Sequence, residues 1–131
     1  MKKTIIGIVG TIVLVILFFF VFKNKFYGTA SDIPERIEQK ETMLLFVTGK
    51  NCYDCNDLEK FFDKQNIKYV TLNKDKDKSY DSILKKLNIT DSEIAIPSLI
   101  YIQDGQLVST LVGVTEAEAT LFLDNYGVPR N

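Results

Sequence analysis

Histidine and tryptophan are absent from this chain of 131 residues, and cysteine occurs only twice. Without histidine there is no Ser-His or Cys-His pair, so any nucleophile must be a self-sufficient thiolate. A four-coordinate zinc site would lack two ligands, and no metal is expected. The run Asp75, Asp77 and Asp81 lacks the glycine that a calcium loop needs for its sharp turn and reads as a solvated loop. A large basic surface is missing too. The net charge is −1, and that figure hides a split: Lys2, Lys3, Lys23 and Lys25 stand in the first 25 residues without an acid, while the remainder carries 12 basic and 17 acidic side chains. A mildly acidic domain offers no electrostatic footprint for nucleic acid. No internal repeat is visible.

What is present begins with an uncharged run of nineteen residues, Thr4 to Phe22, fifteen of them Ile, Val, Leu or Phe. As a helix rising about 1.5 Å per residue it would cover roughly 28 Å, close to the hydrocarbon thickness of a bilayer. Insertion is favoured by about 0.3 to 0.6 kcal/mol for each of the fifteen, and Phe26 and Tyr27 stand where interface anchors would. Residues 1–25 are therefore expected to be a membrane anchor. The rival reading is a cleaved signal peptide with Gly28-Thr29-Ala30 as its small-residue site. Length, and the interruption by Lys23 and Lys25, favour the uncleaved anchor. The charge balance leans towards the N-terminus inside and the domain outside.

Both cysteines lie in Gly49-Lys50-Asn51-Cys52-Tyr53-Asp54-Cys55-Asn56, two residues apart. Thiols at that spacing can close a disulfide within one turn. Thr42 to Thr48 reads as a buried strand, and Asn56 to Gln65 has Leu58, Phe61 and Phe62 at helical spacing. The pair thus sits where a strand hands over to a helix. There, unsatisfied N–H groups and the positive end of the helix dipole favour a thiolate at Cys52, the attacking species in disulfide exchange. Cys55 is placed to resolve the mixed disulfide. A purely structural bridge is the competing reading, but so short a loop removes little unfolded-state entropy.

Around this pair the chain reads as one α/β domain over residues 42–131, preceded by a linker and surface helix over 26–41. Ser31 or Asp32 can cap that helix, with Pro34 in its first turn and Ile33 and Ile37 as its few apolar positions. Ile67 to Leu72 alternates as a second strand. Ser79 or Asp81 opens a helix with Ile83, Leu84 and Leu87 that ends near Asn88. Ile94 to Gln103 is a strand entered through Pro97, and Asp104-Gly105 turns it into a partner from Gln106 to Val112. Gly113 is a bulge or a close backbone approach. Thr115 with Glu118 makes a capping box for a last helix containing Ala119, Leu121, Phe122 and Leu123, stopped by Gly127 and Pro129.

The CxxC at the start of its helix, the Ile96-Pro97-Ser98 step, the Asp104-Gly105 hairpin and the Val112-Gly113 pair together resemble the thioredoxin-like superfamily, over about Thr42 to Tyr126. The resemblance implies a mixed β-sheet flanked by helices, here preceded by one transmembrane helix. It implies that Pro97 is cis and that Ile96 presents its main chain to a bound polypeptide. It also marks departures: Asn51 replaces the usual Trp, Tyr53-Asp54 separates the thiols, and Phe46 stands where thioredoxin has a buried acid. The acids Asp54 and Asp57 oppose a thiolate while Lys50 supports it, so Lys50, Tyr53 and Asp54 are expected to tune the pair, with the Cys52 pKa nearer that of a reducing thioredoxin than of a strong oxidant. The anchor on a lone domain also resembles membrane-tethered thioredoxin-like proteins of Gram-positive bacteria, some of which accompany bacteriocin production.

The expected function is a membrane-anchored thiol-disulfide oxidoreductase acting on extracytoplasmic protein or peptide thiols, with Cys52 and Cys55 catalytic and Ile96 and Pro97 orienting the substrate. No cofactor is needed, and a membrane redox partner would recycle the pair. The alternative is a non-enzymatic accessory module serving a transporter or secreted peptide.

Overall fold

The computed structural model describes the backbone of residues 2–25 and 28–128, and the side chains of residues 4–17 and 28–128. Helix α1, Lys2–Lys25, carries the apolar run, and the large hydrophobics from Ile5 to Leu17 are all exposed. Among the described residues no helix is long and apolar enough to cross a membrane. The side chains from Phe18 to Phe22, which complete the expected span, lie outside the described residues, as do the expected interface residues Phe26 and Tyr27 and the expected helix stop Pro129.

A 3-10 turn, Ala30–Asp32, leads into helix α2, Ile33–Glu38, with Pro34 in its first turn. Thr29 is the N-cap of the turn, and Asp32, one of the two expected caps, is the N-cap of α2, though its side chain makes no cap hydrogen bond there. Strand β1, Met43–Thr48, is followed by helix α3, Tyr53–Lys64, and strand β2, Val70–Asn73. Helix α4, Tyr80–Lys86, and a second 3-10 turn, Asp91–Glu93, precede strand β3, Ser98–Gln103. Strand β4, Gln106–Val112, and helix α5, Glu116–Asn125, complete the described fold. The sheet order is β2-β1-β3-β4, with β2 parallel to β1 and the other two pairs antiparallel.

Strand β1 is buried on both faces because it lies inside the sheet. Met43, Leu45 and Val47 point to one side and Leu44 and Phe46 to the other, the period-two alternation of a strand. The first side is closed by Ile33 of α2 and by Tyr80, Ile83 and Leu84 of α4. The second is closed by Leu58 and Phe62 of α3 and by Ala119, Phe122 and Leu123 of α5. Helix α2 is therefore more than a surface helix, since Ile33 is fully buried and Ile37 packs on the same core.

Four chain segments end their helices in the same way. Lys40, Asn66, Asn88 and Gly127 take positive φ, and the next residue donates its N–H back to the carbonyl five positions earlier, as Ile67 does to Phe62 at 3.0 Å and Ile89 to Leu84 at 2.9 Å. This left-handed closure satisfies helix carbonyls and, at Ile67, Ile89 and Val128, sets an apolar side chain against the helix end. It explains why the second strand starts at Val70 rather than at Ile67: Ile67 is occupied in closing α3. Leu121 is 66% exposed, because α5 turns Ala119, Phe122 and Leu123 inward and leaves it on the outer side. Asp104 and Gly105 both have positive φ in the hairpin, as a two-residue turn matching strand twist requires. The sheet's irregularity lies at Tyr101 and Ile102 rather than at Gly113, where a Cβ would meet nothing within 4 Å.

Candidate active site

Cys52 is the N-cap of α3 and Cys55 lies in its first turn, so the sequence of caps and helix formers fixes the two thiols relative to each other. They are joined as a disulfide with Cα atoms 5.2 Å apart, and the Cys55 N–H donates to Cys52 Sγ at 3.1 Å. That bond places an orphan helix donor on the outer sulfur, the local chemistry that stabilises a thiolate. The two sulfurs differ in access: Cys52 is half-buried, whereas Cys55 is 2% exposed and packed with Leu58 and Phe62. An incoming sulfur therefore meets Cys52 first.

The approach to Cys52 is held by Gly49, Lys50 and Asn51 together with the loop of Asn73 to Asp77. Asn51 has φ +55, a left-handed conformation that asparagine tolerates better than most residues. The Lys50 N–H donates to Asp75 Oδ2 at 2.6 Å. A Cβ on Gly49 would stand 2.8 Å from that same oxygen and 2.8 Å from the Ile96 terminal methyl, so one of these side chains would have to shift to admit it. Asp75 is held by an Asx turn in which Asn73 Oδ1 accepts from the N–H groups of Asp75 and Lys76, while Asp77 Oδ2 accepts from the Asn73 N–H. The Lys74 N–H reaches the Thr48 carbonyl at 2.8 Å. The expected solvated loop is thus a built support. Parallel neighbours β1 and β2 put the loops that follow them side by side, and Asn73-x-Asp75 after β2 was the available signal.

The Ile96-Pro97 bond is cis, as the resemblance implied. Pro97 is buried, and its carbonyl accepts from the N–H groups of Gly113 and Val114 at 3.0 and 3.2 Å, which is where the positive φ of Gly113 is used. Ile96 is half-buried and touches both cores. Among the described residues no hydrogen bond engages the Ile96 main chain. The turn before it is fixed by the Thr90–Glu93 capping box, with Thr90 N–H to Glu93 at 2.7 Å. That backbone donor, then the Thr90 hydroxyl, holds the Glu93 carboxyl below its ordinary pKa. Lys74 pairs with Asp91 at 3.1 Å, and the buried Tyr80 hydroxyl donates to Asp91 at 3.1 Å. Lys74, and then Tyr80, hold the Asp91 carboxyl low, while burial and then Asp91 push the Tyr80 hydroxyl up. Lys74 thereby ties the loop after β2 to the turn that leads into the cis proline.

Asp54, which stands between the two cysteines in the chain, helps line a groove of about 360 Å³, floored by Leu58, Ile96, Pro97 and Val114 and rimmed by Asp54, Asp57 and Glu116. Asp54 thus reaches the groove, whereas Tyr53 is 85% exposed and Lys50 acts here through its main chain. Phe46, at the position of the acid implied by resemblance, is fully buried against Phe62 and Tyr69. Among the described residues no group of three or more metal-ligating side chains converges.

No family model and no curated protein sequence matches the chain. Solved structures do. The oxidised thioredoxin of Plasmodium falciparum superposes with a TM-score of 0.57 at 18% identity, over 73% of this chain and 90% of that one. Fasciola hepatica thioredoxin gives 0.54 at 17% identity, over 76% and 95%. Thioredoxin f2, in its complex with ferredoxin:thioredoxin reductase, gives 0.55 at 12% identity, over 75% and 89%. Sheet order, the CxxC at the head of α3, the cis proline and these superpositions agree: the chain has the thioredoxin-like fold.

Proposed function

We propose that this protein is a membrane-anchored thiol-disulfide oxidoreductase that exchanges disulfides with extracytoplasmic proteins or peptides. The observation that carries the reading is the asymmetry of the pair, a reachable Cys52 capped by a helix N–H and a buried Cys55 bonded to it. In the reducing direction the Cys52 thiolate attacks a substrate disulfide, forming a mixed disulfide and releasing one substrate thiolate. Cys55 then attacks Cys52 Sγ, which forms the intramolecular bond and releases the second substrate thiol. Two electrons pass to the substrate, and the reverse sequence oxidises a dithiol. The unengaged main chain of Ile96 suits an extended substrate strand, with Pro97 beneath it, a mode in which backbone hydrogen bonds supply affinity. Thioredoxin f2 is similar in fold and is known in complex with its reductase, which is consistent with a protein partner recycling this pair.

The anchor rests on the uncharged run from Thr4 to Phe22 and on the 24-residue helix that contains it. Retention of that anchor is favoured because Ala30, at the alternative cleavage site, is buried and its carbonyl accepts from Ser79 Oγ at 3.3 Å. This arrangement resembles that of tethered thioredoxin-like proteins of Gram-positive bacteria. Two experiments test the proposal. Pre-reduced protein should reduce a model disulfide in one turnover, and a Cys52→Ser variant should not; equal activity of the two would overturn the chemistry. A membrane-impermeant maleimide should label the protein on intact cells after reduction, whereas labelling only after lysis would overturn the topology.

A further inference from the structure

We infer that the groove that Asp54 helps line selects cationic substrates, namely cysteine-containing peptide segments flanked by lysine or arginine. The inference rests on the exchange reading above and deepens it. The groove has an apolar floor and three carboxylates, Asp54, Asp57 and Glu116, and no basic side chain lines it. None of the three takes part in an ion pair among the described residues. Asp54 and Glu116 stand in the first turns of α3 and α5, whose positive ends are each equivalent to roughly half a charge. Three carboxylates against about one unit of dipole charge leave the groove negative. Glu118, also in the first turn of α5, is occupied with the Thr115 cap and adds to the same sign.

Chain geometry fits this rim. A substrate strand laid along the Ile96 main chain advances about 3.3 Å per residue, so residues within two positions of the attacked cysteine stay beside the disulfide. Lysine and arginine in those places reach the carboxylates while their methylene stems cover the apolar floor. Clefts lined by one sign of charge raise encounter rates of oppositely charged ligands by about tenfold or more, and an acidic segment is repelled by the same field.

The test is single-turnover exchange by the pre-reduced full chain in a neutral detergent. Three disulfides are compared: one flanked by lysine, the same peptide flanked by glutamate, and a small uncharged disulfide. The lysine peptide is expected to react about tenfold faster than the glutamate peptide at low salt, with the ratio approaching one at 1 M salt, where the Debye length is about 3 Å. The Asp57→Asn, Glu116→Gln double variant should lower the ratio, and because both side chains are exposed its thermal unfolding should fall only slightly below that of the parent. Equal rates for the two peptides would overturn the inference while leaving the exchange reading standing. So would a ratio indifferent to salt and to the double variant. Failure with all three disulfides would overturn the exchange reading itself, and the inference with it.

Discussion

One face of the sheet is covered by Ile33, Ile83, Leu84 and Leu87 and, among the described residues, holds a single aromatic side chain, Tyr80, whereas the other gathers Phe46, Phe62, Tyr69, Tyr101 and Phe122 around Cys55. Phe46 meets Phe62 and Tyr69 edge-on, at centroid separations of 5.3 and 5.9 Å. Such pairs add about 0.5 to 1.5 kcal/mol beyond the area they bury. The aliphatic face therefore holds the fold together, while the aromatic face also fixes the environment of the inner sulfur. Ser98 is the one buried polar side chain among the described residues, and its hydroxyl donates to the Ala95 carbonyl across the cis step. Cys55 thus lies in apolar surroundings, shielded from solvent. The outer thiol is the one made ready to react.

The largest expected effect breaks this contrast directly. Phe46→Ala should cost about 3 to 5 kcal/mol in urea unfolding and should speed alkylation of Cys55 in the reduced chain. Ile83→Val on the other face should cost about 0.5 to 1.5 kcal/mol and leave Cys55 as slow to alkylate as before. If both variants open Cys55 alike, the two faces do not differ in the way described.

Next in size is Gly49→Ala, whose added methyl would press on Asp75 Oδ2 and the Ile96 methyl. Overpacking of this kind costs about 1 to 3 kcal/mol, and the strain falls on the approach to Cys52, so exchange should slow along with the loss of stability. Asp75→Ala removes the acceptor of the Lys50 N–H and should cost about 1 kcal/mol, with exchange slowed but the aromatic core intact by near-ultraviolet circular dichroism.

The smallest effect is electrostatic and belongs to the periphery. Glu38, held low by its hydrogen bond to Lys86, together with Asp91 and Glu93, has a folded pKa below its ordinary value. A depressed carboxylate stabilises the fold above its unfolded pKa and loses that contribution as pH falls through the folded value. Stability measured by thermal unfolding should thus decline below about pH 4.5, and Lys86→Met should remove the Glu38 share without altering exchange at neutral pH.

Much of this architecture could be read from the residues. Cys52 and Cys55 before an apolar helix, Asp104-Gly105 between two strands, and Thr115 with Glu118 each carry their own local chemistry, and the structure places all of them as expected. The cis Ile96-Pro97 bond came from resemblance, since sequence spacing says nothing of it. What stayed hidden depends on contacts between distant segments. Ile33 looked like a surface position because its own helix is short and polar, yet the sheet supplies the other half of its pocket. Asp75 looked solvated in a run of lysines and aspartates, and only the parallel pairing of β1 with β2 brings it to Lys50. The rim of Asp54, Asp57 and Glu116 joins two helices sixty residues apart in the chain.

The central claim is that Cys52 attacks and Cys55 resolves, and mass spectrometry of a trapped intermediate tests it most directly. The reduced Cys55→Ser chain, mixed with a disulfide peptide, should accumulate a covalent adduct on Cys52, while the parent chain should pass through the same adduct to free peptide thiols and an internal disulfide. An adduct that forms equally well on Cys55 in the Cys52→Ser chain, or no adduct in either variant, would contradict the account.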